Sequence, residues 1–428
     1  MTERDVVATA EAVMALMAAD GFADVVDMVP SSLRELVSAE SLRDSWQELT
    51  ATHGSVVQIG TPSTEPAGAD HTLVRIGVTC ERGACAVLMV VDAARRLHGL
   101  QFAPLEAAEP SQPWEAPPYV DSAAFTEHEV TVGETPWATP GTLSLPQSSS
   151  PGPAVVLLPG SGPSDRDVTM GRNKIFRDLA WGLASHGIAV LRFDKVTYVH
   201  RDTLDRRTFT AFDEYVRPAV AAVHLLREHP LVDGDRILVL GHSQGGMMAP
   251  RVAAAEPSVA GLVVLAGATE PMHRSLLRQV RYLATVHKPA ADPEADPTVQ
   301  TITRQVALID DPDLSPSTPD HLLPLGVPAQ YWLDLRGYDP VAAAAQLDLP
   351  MLIMQGGRDY QVTVTEDLLG WQSGLADRDD VTIRVYPADD HLFFSGSGPS
   401  TPAGYEPAQH VDEAVVSDIA RWISGTTR

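Results

Sequence analysis

The chain has 428 residues, a length that suits two domains better than one, with 44% hydrophobic and 20% charged residues. Its 31 basic and 56 acidic side chains leave a formal net charge of -25, a field that repels phosphate backbones and anionic lipid heads and argues against nucleic acid as a partner. The sequence has no run of about twenty apolar residues, so no membrane span is expected. The opening MTERDVVATAEAVMALM carries acids early in place of the basic start, apolar core and cleavage site of a secretory signal. A cytoplasmic monomer or homodimer is the expectation.

Residues 1–105 read as a small α+β domain. Apolar positions recur at helical spacing from Val6 to Met17, and short helices continue from Leu33 to Leu49. Period-two strands follow in SVVQIG, TLVRIGVTC, CAVLMVVD and HGLQFAP. Helices followed by adjacent strands predict an antiparallel sheet curled around a helix. Cys80 and Cys85 flank ERGA, which reads as a four-residue hairpin loop. The two thiols then face each other across the strands, free in a reducing compartment or joined as a disulfide in an oxidising one. Nothing in this domain combines a nucleophile with a base, so it reads as a structural or pocket-shaping appendage.

Residues 106–124, EAAEPSQPWEAPPYVDSAA, are rich in Pro and small residues and form the natural linker. From 125 to 428 strands alternate with helices, the pattern of a mostly parallel sheet. Eight strands are expected, at EHEVTV, TLSLP, AVVLLP, IAVLRFD, RILVLGH, LVVLAG, PMLIMQ and TIRVYP. The first two form an antiparallel hairpin, and the rest are apolar runs of the fully buried kind. The connection from about 268 to 349 is far longer than a normal one. Within it Met272, Leu276, Val280 and Leu283, and then Val299, Ile302 and Val306, lie at helical spacing. Helices inserted there would form a lid over a ligand crevice, or pack on one another.

The chemistry is carried by ILVLGHSQGG, residues 237–246. Gly241, His242, Ser243, Gln244 and Gly245 make Gly-x-Ser-x-Gly directly after a buried strand and directly before a helix. A sharp strand-to-helix turn strains the serine and leaves its hydroxyl exposed at the carboxyl edge of the sheet, while the glycines admit close backbone approach. The following helix points its amino end at the site, where negative charge is favoured. A serine hydroxyl needs a base, and the base needs an orienting acid. In strand-elbow-helix hydrolases the acid and then the histidine follow the serine in the chain. Asp359 in GGRDYQ comes just past the strand PMLIMQ, and His391 in ADDHLFF comes after the last strand and before the last helix. Glu270, after LVVLAG, is the alternative acid, and His410 is a distant alternative base.

Acyl chemistry also requires backbone amides aimed where the carbonyl oxygen becomes negative. One is the amide of Gln244; the second comes from the loop PGSGPSDRD after AVVLLP, from Ser161 or from Gly162. The GSG could also suggest a phosphate loop, but the Gly-Lys-Ser/Thr ending is absent. Asp165, Arg166 and Asp167 read as an ion-pair network bracing this loop in preference to a metal or substrate clamp. Tyr331, Trp332, Tyr338 and Phe394 are candidates for the pocket wall, or for the core.

At these residues the sequence resembles the bacterial carboxylesterases related to dienelactone hydrolases, within the α/β-hydrolase superfamily, that carry a small N-terminal domain of unknown function. The resemblance is dense through LLPGSGPSDRD, NKIFRDLAWGLASHGIAVLRFDK, GHSQGG, GGRDYQV and DDH, and covers most of residues 125–428. The first hundred residues look like that family's appended domain, similar to a nuclear-transport-factor cone. The resemblance implies a triad at Ser243, Asp359 and His391, activity toward short acyl esters, and no metal or organic cofactor. Members are usually secreted or envelope proteins, whereas no signal is visible here. After LRFDK they often continue with Arg and Gly-rich residues, where this chain reads VTYVHRD.

The expected function is hydrolysis of a small-molecule ester through an acyl-enzyme. Acyl transfer or carboxylate elimination by the same triad, with water excluded by a lid, is the first alternative. A non-catalytic binding protein on the same scaffold is the second. A peptidase is disfavoured because the N-terminal domain is too short for a gating propeller, and a dehalogenase would place Asp where Ser243 stands.

Overall fold

A computed structural model describes residues 3–426 apart from 31–32, 35–36, 68–70, 104, 106–113, 288 and 291. It divides the chain into two units, Met1–Pro113 and Trp114–Arg428. The first part of the expected linker, 106–113, lies outside the described residues.

In the first unit, helices α1 (Glu3–Ala18), α2 (Phe22–Asp27) and α3 (Ala39–His53) precede strands β1 (Val56–Ile59), β2 (Ser63–Pro66), β3 (His71–Cys80), β4 (Gly83–Asp92) and β5 (Leu97–Ala103). The strands form one five-stranded sheet, with antiparallel pairing throughout. Val6, Ala10, Val13, Met14 and Met17 lie on one stripe of α1 and join a core with Val74, Ile76 and Val78 of β3 and Val87, Met89 and Val91 of β4. Two details differ from expectation. The third helix begins at Ala39, because Ser38 accepts the Ser41 amide and Ser41 returns the bond in a capping box. The hairpin expected over Glu81–Ala84 is tighter: Gly83 and Ala84 already pair with Cys80 and Thr79, so only Glu81 and Arg82 turn. Cys80 and Cys85 are buried free thiols in this structure, and burial raises the Cys85 thiol to about 11.

The second unit is built on strands β6 (Phe125–Val132), β7 (Thr139–Pro146), β8 (Gly152–Leu158), β11 (Ala189–Phe193), β12 (Val232–His242), β13 (Leu262–Leu265), β14 (Met351–Gly356) and β15 (Val381–Tyr386); β9 (Thr169–Met170) and β10 (Asn173–Lys174) form a separate two-residue ribbon. The eight-stranded sheet has the order β15-β14-β13-β12-β8-β11-β7-β6. All pairings from β15 to β11 are parallel, and β7 runs antiparallel to both β11 and β6. Burial on both faces explains the continuous apolar runs of β8, β11, β13 and β14, whereas β15, also expected to be fully buried, is half-buried to exposed because it is the edge strand of the sheet. Ala154, Val156 and Leu158 of β8 pack with helices α6 (Arg217–Arg227) and α7 (Gln244–Ala255). Their neighbours Val155 and Leu157 pack on the other face with α4 (Ile175–Ser185) and α13 (Glu413–Gly425). The short helix α5 (Val196–Val199) follows β11.

The long insertion leaves the carboxyl end of β13 and contains α8 (Met272–His287), α9 (Pro297–Asp310), α10 (Ala329–Arg336) and α11 (Pro340–Ala345), before β14 and then α12 (Leu369–Gly374). Val299 and Val306 are buried, Ile302 half-buried, and the Met272, Leu276, Val280 and Leu283 stripe of α8 is half-buried throughout. Polar anchors secure the insertion. Asp334 of α10 takes a bidentate ion pair from Arg251 of α7 at 2.7 and 2.9 Å. The fully buried Asp367 accepts the amides of Thr269, Glu270 and Thr363 and pairs with Arg278 at 2.7 Å. Among the described residues no helix is long and apolar enough to cross a membrane.

Candidate active site

The turn from β12 into α7 places Ser243 at φ 56, ψ -120, a left-handed conformation that a non-glycine residue adopts at a cost of about 1–3 kcal/mol. Surrounding packing imposes it. A Cβ at Gly241 would lie 2.2 Å from the Gly245 carbonyl oxygen, and one at Gly245 would lie 2.2 Å from that of Leu158. The elbow therefore closes only with glycine on both sides. Ser243 itself is half-buried, while His242 and Gln244 beside it are buried.

Two loops from the neighbouring strands converge here. Asp359, three residues past β14, and His391, five past β15, meet with His391 Nδ1 2.7 Å from Asp359 Oδ2. The Asp359 side chain is fully buried and all of its acceptor directions are used. Oδ1 accepts the amides of Gln361 (2.8 Å) and Val362 (3.0 Å), and Oδ2 also accepts Gln355 Nε2 at 3.0 Å. Four donors hold the carboxylate in one orientation, and that orientation fixes the imidazole.

His242 joins this pair to the elbow. Its Nε2 donates to the His391 carbonyl at 2.8 Å, and the two rings lie 4.7 Å apart. Burial, aided by the neighbouring imidazole, pulls the His242 pKa down to about 3. It is thus a neutral strut that fixes the His391 loop beside Ser243. The variable position of Gly-x-Ser-x-Gly gives no signal of this role.

The loop after β8 comes within contact distance of Ser243: a Cβ at Gly160 would lie 3.2 Å from Ser243 Cβ and 3.7 Å from its Oγ. Ser161 and Gly162 are exposed, and Gly162 takes φ 79. Behind the loop, Arg166 binds Asp194 (3.0 Å) and Glu129 (2.6 Å), Asp167 binds Arg192 (2.8 Å) and Lys174 (3.1 Å), and Asp165 caps the Thr169 amide at 2.8 Å. Arg166 and Asp167 thus form the expected bracing ion-pair lattice, whereas Asp165 makes no ion pair among the described residues and its side chain accepts the amide and hydroxyl of Thr169. The alternative acid Glu270 faces Arg278 at 3.2 Å, and the alternative base His410 is bound to Asp178 at 3.2 Å. Tyr331 lies beside the elbow, its hydroxyl accepting from Gln244 Nε2 at 2.9 Å. Tyr338 donates to the Met247 carbonyl at 2.9 Å. Trp332 and Phe394 are 0% and 1% exposed, in the cores on opposite faces of the sheet, so their positions are those of packing residues.

Asp389, two residues before His391, is buried with Ser395 as hydroxyl donor at 2.8 Å. Desolvation raises its pKa from 3.8 to about 6, with Asp412 and Asp390 adding to the rise. Between these two values the native state keeps a proton that the unfolded chain releases. Stability from this group is therefore full below about pH 4 and lost as pH rises through about 6, by about 3 kcal/mol. Asp389→Asn should gain on wild type between pH 4 and pH 7.5 in urea unfolding. An equal offset from wild type at both pH values would contradict the assignment.

The fold and the elbow define the class: this is a hydrolase of the α/β type. Residues 171–395 match the family described as serine aminopeptidase, S33, and the chain is 35% identical over 408 residues to esterase EstD of Thermotoga maritima, across 95% of this chain and 92% of that protein. The chain belongs to this hydrolase family. Among solved structures, a hypothetical protein of Pseudomonas aeruginosa aligns at 17% identity over 74% of this chain and 99% of its own, with TM-score 0.47. An esterase of Pyrococcus furiosus aligns at 15% identity over 74% and 96%, with TM-score 0.45.

Proposed function

We propose that the protein is a serine esterase acting on a small-molecule ester through an acyl-enzyme, with Ser243, His391 and Asp359 as its triad. The observation that carries this reading is the buried Asp359–His391 bond of 2.7 Å, tied through His242 to a serine held at φ 56. Ser243 Oγ attacks the acyl carbon while His391 Nε2 takes its proton. The tetrahedral oxyanion is received by the amides of Gln244 and Ser161 or Gly162. His391 then protonates the departing alkoxide, and the alcohol leaves. Water attacks the acyl-enzyme with His391 again as base, which frees the acid and restores Ser243. Asp359 keeps the proton on Nδ1 and stabilises the imidazolium. Residues 125–428 carry this chemistry, and residues 1–105 form an accessory domain. The relative EstD is an esterase by name, which supports an ester as substrate class.

The test is intact-mass measurement after a fluorophosphonate probe, in which Ser243 Oγ bonds to phosphorus and fluoride departs. One adduct is expected on wild type and none on Ser243→Ala. A folded wild type that stays unlabelled, or a mutant labelled equally, rejects the assignment.

A further inference from the structure

Lys195 is 2% exposed at the end of β11, in a chain that has no place for it in the triad. Its three N–H bonds have three acceptors: the Gly160 carbonyl at 2.9 Å, Tyr215 Oη at 2.8 Å and Glu214 Oε1 at 3.0 Å. Three donors fully used is the complement of an ammonium group. Tyr215 passes its own hydroxyl proton to the same Gly160 oxygen at 2.7 Å, so both lone pairs of that carbonyl are taken. Glu214 continues the network through Oε2, which accepts the Tyr331 hydroxyl, and Tyr331 in turn accepts the Gln244 side-chain amide. Burial pulls Lys195 below the ordinary lysine range, with Glu214 opposing the shift. A charge this deep is costly unless paired and fully bonded.

The Gly160–Ser161 peptide is trans, so its N–H points opposite to its carbonyl. Two donors locking the oxygen therefore lock the Ser161 N–H on the other side of the same plane. A cation at the oxygen end also polarises the amide and makes that N–H a stronger donor. Building on the serine-esterase reading above, we propose that Lys195 and Tyr215 are positioning residues that orient and polarise the Ser161 amide as an oxyanion-hole donor. One buried chain of hydrogen bonds then reaches both residues whose amides receive the oxyanion: Ser161 through the Gly160 carbonyl, and Gln244 through its own side chain. It also selects Ser161 over Gly162 as the second donor.

The test compares hydrolysis of p-nitrophenyl butyrate with that of its thiono analogue, in which sulfur replaces the carbonyl oxygen. Sulfur is a weak acceptor, so a well-oriented amide pair favours the oxygen ester, and the oxo-to-thiono rate ratio reports the state of the hole. Tyr215→Phe deletes one hydroxyl. The double variant Lys195→Met, Glu214→Gln removes the buried charges together, so no carboxylate is left unpaired. Each should lower kcat about tenfold or more with KM within about twofold of wild type, and the oxo-to-thiono ratio should fall at least about fivefold. A loss of kcat at an unchanged ratio would mean a merely structural role and would overturn the proposal, as would no change in either quantity. Ser243→Ala separates the two readings. If it loses turnover while the ratio stays fixed in both variants, only the positioning role falls; if it hydrolyses as fast as wild type, the esterase reading falls and this one with it.

Discussion

Asp359→Asn should reduce kcat toward a p-nitrophenyl ester by about 10⁴-fold while leaving KM and folding close to wild type. The size follows from the donors around the carboxylate. The amides of Gln361 and Val362 point at Oδ1, while His391 Nδ1 and Gln355 Nε2 point at Oδ2. An asparagine has one oxygen to offer. Facing its oxygen to the two backbone amides preserves the turn after β14, and this is the cheaper choice because those amides cannot rotate away. The new NH2 then faces His391 Nδ1, which must become an acceptor. That puts the imidazole proton on Nε2, where it cannot take the proton from Ser243. The fold survives and the base is switched off. Fluorophosphonate labelling should slow in parallel with turnover, since both need the same deprotonation. A mutant retaining more than about a tenth of wild-type kcat would show that Asp359 does not set the tautomer, and Glu270 would have to be tested next.

Most of the large sheet and of the candidate site was legible because both depend on short-range rules. Buried runs such as Val155–Leu158 have no polar face to misassign, so strand placement in the large sheet needed only their lengths and the helices between them. The elbow could be recognised from glycines that a Cβ would drive into backbone, and Asp359 and His391 from their positions after β14 and β15. The elements that escaped depend on contacts distant in sequence. Strand β2, Ser63–Pro66, has no apolar alternation and exists because β3 offers it an edge. The bond from Gln355 to Asp359 and the strut from His242 to the His391 loop leave no periodic trace. Aromatic residues of the insertion were ambiguous for a related reason: Tyr331 and Trp332 are neighbours on α10 and both join the core, yet only Tyr331 meets Gln244 of the elbow, through its hydroxyl. Lys195 is the clearest case. It follows β11 and the buried Asp194 with no local signal of its role, and only the fold reveals Gly160, Tyr215 and Glu214 around it.

Gly245→Ala should destabilise the protein by about 3 kcal/mol or more and lose activity beyond what partial unfolding explains. Its Cβ would lie 2.2 Å from the Leu158 carbonyl oxygen and 2.6 Å from that of Pro159. These are backbone atoms at the carboxyl end of β8, with no rotamer through which to yield. Relief requires the start of α7 and the end of β8 to separate by about 1 Å, judged against an ordinary van der Waals contact. Both sides of that gap belong to the proposed site: α7 carries the Gln244 amide, and β8 runs directly into Gly160 and Ser161. The same methyl therefore strains the fold and spreads the two amides proposed to share the oxyanion, so stability and kcat should fall together. Gly404→Ala is the control, because a Cβ there meets nothing within 4 Å, and its thermal midpoint should match wild type or slightly exceed it. Thermal unfolding of both variants, with kcat measured well below the midpoint, separates the effects. A Gly245→Ala protein melting with wild type would mean that the elbow relaxes freely, and the strained Ser243 conformation would then not be imposed by its neighbours.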